Sequence, residues 1–401
     1  MRYHLRGLGN NQNGQIGTTG TPLKDADYVS AVSAGVDHSL ALSSLGEVFA
    51  WGCNTFGQLG NGAINSAEAK TCITAPCTVR VRELGVDVVI AKVAAGFGHS
   101  AAMSREGLLY TWGLGSEGQL GYELPATSSY LLACGRERCQ LVPKLVLGVT
   151  AVEEVACGKN FTLILTSAKR VFATGSGNYG VLGNGRRSVQ FGFRGVVDGL
   201  EDRKVSKIAC GWSHCLAAVQ GTGVFMWGNP YYDIDEEQED IAAPILVLPV
   251  REEVISIACG QNHSAAVLKD LASRTTLYTW GSNSYFQLGY EEEDLVQAPR
   301  PVSFLQSHEV RCVACGWNYT AAVLSDGKLI GWGGNKYYQF GIDKSSEFPA
   351  PVSTDGPVET AVSGYSHLLL LTLPTVRKQK RTATSTTSMD RIYMDGLHSK
   401  E

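Results

Sequence analysis

The hydrophobic pattern of this 401-residue chain is made of short runs. KVAAG (92–96), HSAAMS (99–104) and LLYTWG (108–113) each have the length of a strand, and Gly, Asp or Ser signals bound them. The order strand, tight turn, strand, glycine turn, strand, longer glycine loop, short strand then recurs along the chain. Well-kept copies are SAGVDHSLALSSLGEVFAWGCNTFGQLGNG (33–62) and AAGFGHSAAMSREGLLYTWGLGSEGQLGYE (94–123). ACGKNFTLILTSAKRVFATGSGNYGVLGNG (156–185) and ACGWSHCLAAVQGTGVFMWGNP (209–230) are degraded ones. The leading glycines, Gly35, Gly96, Gly158, Gly211, Gly260, Gly316 and Gly364, mark seven units.

A four-stranded antiparallel blade buries its faces only against neighbouring blades. Seven such units closing radially predict an all-β, seven-bladed β-propeller. The chain opens on the second half of a unit, YHLRGLGNNQNGQIGTTGTPL, and its repeats end on the first half, VETAVSGYSHLLLLTLP. One blade is therefore expected to take two strands from each terminus and lock the ring. In this reading residues 1–373 are the propeller, and 374–401 are a disordered, polar and Ser/Thr-rich tail. The tail carries RKQKR (377–381), similar to a basic nuclear-import patch, beside TATSTTS, which could accept phosphate.

Composition narrows the classes. Forty-six glycines suit a turn-rich repeat protein, and a net charge of −4 provides no basic field, so no direct nucleic-acid binding is expected. No run of about 18 apolar residues predicts a membrane span, and MRYHLRGLGN lacks the apolar core of a secretory signal. Eleven scattered cysteines fit a reducing compartment. The expectation is a monomeric soluble protein of the cytoplasm, the nucleus or both.

Two hexapeptides, GLGSEG (113–118) and GSGNYG (175–180), have the glycine spacing of a dinucleotide-binding turn. That turn requires a helix opening on its glycines. QLGYELPATSSY, which follows Gly118, has Pro125 and no apolar helical period, so the hexapeptide is the glycine loop of the repeat. His38, His99, His214, His263 and His367 share one repeat position, filled elsewhere by Phe161 and Tyr319. A catalytic residue would be unique to one site; these read as turn-fixing histidines whose ring nitrogens satisfy nearby backbone groups. Cys157, Cys210, Cys259 and Cys315 fill a small core position held by Ala34 and Ala95 in other units. With the repeat subtracted, no Ser-His-Asp, paired-carboxylate or phosphate-loop constellation remains, and no covalent catalytic residue is assigned.

The seven G-x-x-[HFY]-[STCL] turns, each coupled to a W-G-x-N-x-x-G-Q-L-G-type loop, resemble the regulator of chromosome condensation repeat family over about residues 5–373. The resemblance implies two function classes. The founding member is an exchange factor for a small Ras-like nuclear GTPase, displacing nucleotide and magnesium with acidic and polar residues of these same turns. Binding of a small GTPase, with guanine nucleotide exchange as the finer possibility, is the expectation carried over. The alternative is a non-catalytic scaffold in trafficking, cytoskeletal or ubiquitin-related assemblies. Asp37 alone keeps the G-x-Asp-His form; Asn160, Asn262 and Asn318 stand where an acid would. A plant ultraviolet-receptor role would need GWRHT turns, and GWSHC and GWNYT lack the arginine.

In a meander, the turns between strands 1 and 2 share a side with those between strands 3 and 4. The G-x-x-H turns and the W-G…G-Q-L-G loops therefore define one face. Its candidate partner-binding residues are Asp37, Phe97, Lys159, Asn160, Trp212, Gln261, Asn262, Trp317, Asn318 and Tyr365, either contacting a partner or packing on neighbouring blades. Insertions at about 61–79 and 122–142 place Cys72, Cys77, Cys134 and Cys139 in loops of adjacent units. These four are a candidate zinc site, against the plainer reading of reduced thiols in surface loops without a glycine knuckle. No other cofactor is expected. WGNPYYDIDEEQED (227–240) replaces a standard loop with an acidic run, a solvated loop or a docking prong for a basic partner.

Overall fold

A computed structural model describes residues 3–17, 29–64, 73–125, 137–195, 197–231, 239–291, 294–341 and 346–374. Seven antiparallel sheets are arranged as a propeller, and a separate two-stranded hairpin pairs Arg82–Glu83 with Val86–Asp87. Blade 1 runs Val29–Ala34, His38–Ser43, Val48–Gly52 and Ile73–Val79; blade 2 runs Ile90–Ala95, His99–Ser104, Leu109–Leu114 and Cys139–Leu145. Blade 3 has three described strands, Val152–Cys157, Phe161–Thr166 and Val171–Gly175. Blade 4 runs Val205–Cys210, His214–Val219, Gly223–Gly228 and Ile241–Pro249, and blade 5 runs Glu253–Cys259, His263–Lys269, Thr275–Ser282 and Leu295–Pro301. Blade 6 comprises Val310–Cys315, Tyr319–Leu324, Leu329–Gly333 and Ser346–Val352. Blade 7 joins Val358–Ser363 and His367–Thr372 to the N-terminal strand His4–Gly9, in register from His4 opposite Thr372 to Gly9 opposite His367. Among the described residues no helix is long and apolar enough to cross a membrane.

Seven apolar clusters hold the ring, each between two adjacent blades. Leu40, Leu42 and Ala50 of blade 1 meet Ala102, Tyr110 and Trp112 of blade 2, and Trp51 and Phe49 of blade 1 meet Leu369 and Leu371 of blade 7. The second strand of each blade is covered on both faces, which explains runs such as HSAAMS and HLLLLT that do not alternate: all six residues of each are buried. The outer strand Ile73–Val79 is mostly half-buried or exposed. Burying each large apolar side chain in these seams contributes about 1.5–3 kcal/mol.

The closing blade has one described strand from the N-terminus; the second one expected falls in residues 18–28, outside the described residues. Two placements differ from the sequence-based expectation. Among the described residues blade 3 has no regular fourth strand. Gln190 covers its edge instead, exchanging main-chain bonds with Gly175 (2.8 and 2.9 Å) while its side-chain amide donates to the Ala173 carbonyl (2.8 Å). The insertions are not all loop: Cys77 lies on the outer strand of blade 1 and Cys139 on that of blade 2.

Candidate partner-binding face

The turn between the first two strands of each blade approaches its neighbour closely. A Cβ on Gly35 would sit 2.5 Å from the Gly96 carbonyl oxygen, and one on Gly364 would strike that of Gly35. The glycine is required by contact here, since its backbone lies outside the left-handed region. The residue after it then donates its amide around the axis: Val36 to Gly96 (3.2 Å), Phe97 to Gly158 (3.3 Å), Tyr365 to Gly35 (3.3 Å).

The histidines fix these turns by a different contact from the backbone bonds expected. Nε2 of His38 meets Ser100 Oγ of the next blade at 2.9 Å; His99 meets Thr162, His214 meets Ser264, His263 meets Thr320 and His367 meets Ser39 in the same way. At four joints the hydroxyl donates its single hydrogen to a main-chain carbonyl of the preceding blade's glycine loop, that of Gln58, Gln119, Gln287 or Gln15. The hydroxyl must therefore accept from the ring, which fixes the Nε2–H tautomer. Three of those carbonyls also accept an indole N–H, from Trp112, Trp332 and Trp51. Burial pushes His38, His99, His263 and His367 down to about 3 and His214 to about 4, so all five are neutral structural groups.

The joint between blades 3 and 4 changes all the partners together. Phe161 replaces the histidine, Cys215 the hydroxyl and Val181 the glutamine, while the Trp227 indole still donates to the Val181 carbonyl at 2.8 Å. Tyr319 replaces the histidine between blades 6 and 7 and donates to the His367 carbonyl at 2.6 Å.

On this rigid ring, Val36, Phe97, Lys159, Trp212, Gln261, Trp317 and Tyr365 line one cavity of about 100 Å³ at the mouth of the central channel. The aromatics pack on one another around the axis, between adjacent blades as well as across it. Phe97 of blade 2 meets Trp212 of blade 4 edge-on at 5.9 Å, Trp212 meets Tyr365 of blade 7 at 6.2 Å, and Trp317 lies against Tyr365. Lys159 Nζ stands 4.5 Å over the Trp212 ring. All seven stay half-buried, leaving an apolar, singly cationic floor open to solvent.

The second residues of the turns are placed differently. Their carbonyls accept the amide that follows the third strand, as Asp37 does from Cys53 (2.8 Å), Asn262 from Ser282 (2.7 Å) and Asn318 from Gly334 (2.7 Å). The Asn262 side chain is 5% exposed and is withdrawn from the surface; Asp37, Asn160 and Asn318 are half-buried. Asp37 accepts from Gln15 Nε2 at 3.4 Å, and burial raises its carboxyl above the usual range against a lowering bond from Asn13. Residues not singled out in the sequence extend the face: the Phe56 ring lies tilted against Phe97 at 6.1 Å, and Tyr285 and Tyr338 are 54% and 56% exposed in the loops of blades 5 and 6. The aromatic at the second place after W-G-x-N was the available signal for Phe56 and Tyr285; Tyr338 stands one place later, after Tyr337.

The remaining candidates do not join this floor. Cys72 and Cys134 lie outside the described residues. Cys77 donates to the Ala50 carbonyl at 3.1 Å and Cys139 is buried at 1% exposure on another sheet, so the two are strand residues and not loop thiols. Among the described residues no three His, Cys, Asp or Glu side chains gather as metal ligands. Residues 232–238 of the acidic segment are not described; at its ends Tyr231 is buried, and Asp240 pairs with Arg187 at 3.1 Å.

Models of the regulator of chromosome condensation (RCC1) repeat match residues 46–103, 106–165, 170–218 and 276–323, and a second model of the same repeat matches 29–58, 90–119, 152–181 and 310–339. The chain belongs to the RCC1 repeat family. Among its relatives, human E3 ubiquitin-protein ligase HERC2 is 35% identical over 305 residues, covering 73% of this chain and 6% of HERC2. The bovine secretion-regulating guanine nucleotide exchange factor is 30% identical over 314 residues, 76% of this chain and 63% of that protein. The chain thus spans only a small part of HERC2 and under two thirds of the exchange factor. The crystal structure of Prp20p from Saccharomyces cerevisiae, described with its binding to Gsp1p and histones, superposes with a TM-score of 0.72 at 22% identity, covering 94% of this chain and 93% of Prp20p. That likeness establishes the RCC1 propeller fold.

Proposed function

We propose that the mouth of the G-x-x-H face docks a folded protein partner of the small Ras-like GTPase class, and that the propeller acts on it as a guanine nucleotide exchange factor. The half-buried aromatic floor of Phe97, Trp212, Trp317 and Tyr365 carries this reading. Aromatic side chains presented by a preorganised ring supply large contact area at small entropic cost, as the centres of protein interfaces do. The names of the bovine exchange factor and of the Prp20p structure support the partner class. Asp37, beside the floor, is the carboxylate available to compete for a lysine or for magnesium of a nucleotide site. The likeness to HERC2 favours a second reading, in which the same floor docks a partner within a ubiquitin-related assembly and nucleotide plays no part.

Binding to purified small GTPases, with EDTA and with magnesium plus GTP in parallel, separates the two. Retention of a GTPase only under EDTA is expected, because an exchange factor prefers the nucleotide-free state. Asp37→Ala should slow nucleotide release, and Trp212→Ala should abolish retention. Release and retention unchanged in both variants would remove this face from the function.

A further inference from the structure

Cys210 and Cys215 are directly opposed on the first two strands of blade 4. The adjoining pair, Gly211 and His214, is joined by a main-chain bond of 2.8 Å. By antiparallel alternation Cys210 and Cys215 are then a non-hydrogen-bonded pair, whose Cα atoms stand about 4.5 Å apart with side chains on one face. That separation falls within the range of disulfides, about 4.4–6.8 Å. In five other blades the second member of this pair is Ser39, Ser100, Thr162, Ser264 or Thr320, and the sixth has Leu368. Only blade 4 offers two sulfurs, and it does so at the joint where Phe161 removes the histidine a hydroxyl would serve. Cys215 is fully buried and interacts with the Cys210 thiol; Cys210 is half-buried, the more exposed of the two and so the one a small oxidant would meet first.

We propose that Cys210 and Cys215 form an oxidisable pair that closes to a disulfide across the neck of the turn bearing Trp212. With hydrogen peroxide as oxidant, Cys210 sulfur attacks one peroxide oxygen, the O–O bond breaks, Cys210 becomes a sulfenic acid, and the other oxygen departs as water with the Cys210 proton. Cys215 sulfur then attacks the sulfenyl sulfur, the S–OH bond breaks, and a second water departs with the Cys215 proton. Two thiols are oxidised and one peroxide is reduced. The bond encloses Gly211–His214 and so couples oxidation to the turn that supplies the centre of the aromatic floor; that consequence rests on the docking role proposed above, whereas the bond itself does not.

The test is peptide mapping of the folded full chain after peroxide treatment, alkylation of remaining thiols and trypsin cleavage. The fragment that follows Lys207 and ends at Arg251 holds these two cysteines and no other. It is expected to lose two hydrogens, to resist alkylation at both positions, and to recover both thiols with dithiothreitol. Cys215→Ser, which restores the residue type of other blades, should fold, should not lose the two hydrogens and should leave Cys210 alkylatable after reduction. A fragment alkylated at both cysteines after treatment would overturn the proposal, as would a Cys157–Cys210 link or irreversible sulfinic acid at Cys210 in place of the bond.

Discussion

Five buried histidines, each pushed down in pKa by burial, are expected to make this propeller acid-labile, and the size of the effect follows from their burial. Each has its folded pKa depressed from 6.5 to about 3, or to about 4 for His214. The unfolded chain therefore takes up these protons first as pH falls. The stability they allow is fully present above 6.5 and is lost as pH drops through 6.5 toward the folded values. At pH 5 each histidine costs about 2 kcal/mol, and five cost about 10 kcal/mol, against a typical total stability of about 5–15 kcal/mol. Asp37 and Glu154, both raised by burial, bind protons more readily when folded and oppose the loss, two groups against five. Urea unfolding followed by tryptophan fluorescence at pH 7 and pH 5 measures the difference. The midpoint is expected to collapse, and His99→Gln should remove about one fifth of the pH slope while lowering stability at pH 7. A midpoint equal at the two pH values would mean that the rings are charged or hydrated in the fold, and the tautomer argument would fail with it.

Three further perturbations probe the ring. Gly35→Ala drives a methyl group into the Gly96 carbonyl and should cost about 1–3 kcal/mol by overpacking. Gly148→Ala, open on all sides at φ +77°, should cost only the left-handed strain of about 1–2 kcal/mol without disturbing a seam, which hydrogen exchange of the adjacent strands distinguishes. At the joint of blades 3 and 4, Phe161→His alone should destabilise by burying an unpartnered N–H. Adding Cys215→Ser should recover part of that loss, with a coupling energy of about 0.5–3 kcal/mol in a double-mutant cycle; strict additivity would deny that the two positions meet across the joint.

What the sequence made legible, and what it hid, divides along a physical line. Anything set by the period of the repeat was readable: seven leading glycines, apolar second strands, and a ring closed between the two ends of the chain, because each copy reports on the same contact. Contacts between non-equivalent positions were not. Ser100 reads as an ordinary strand serine until the fold brings it against His38, sixty-two residues earlier, and shows its hydrogen committed to Gln58. The histidines therefore looked like local turn fasteners when they are fasteners between blades. The joint of blades 3 and 4 shows how this could have been found. Phe161, Cys215 and Val181 lie far apart in sequence, yet each breaks the pattern of its own column, and the three breaks meet at one seam. The same logic sorts the candidate face. Both turn positions vary, the first through six residue types and the second through four, but the first lines the mouth while the second is tied by its carbonyl to the following loop. Variation at the first position is thus variation of the docking floor, while Asn262 at the second is withdrawn into the protein. A departure from the repeat consequently has two physical meanings, a changed joint or a changed surface, and the main-chain bonds of the turn decide between them.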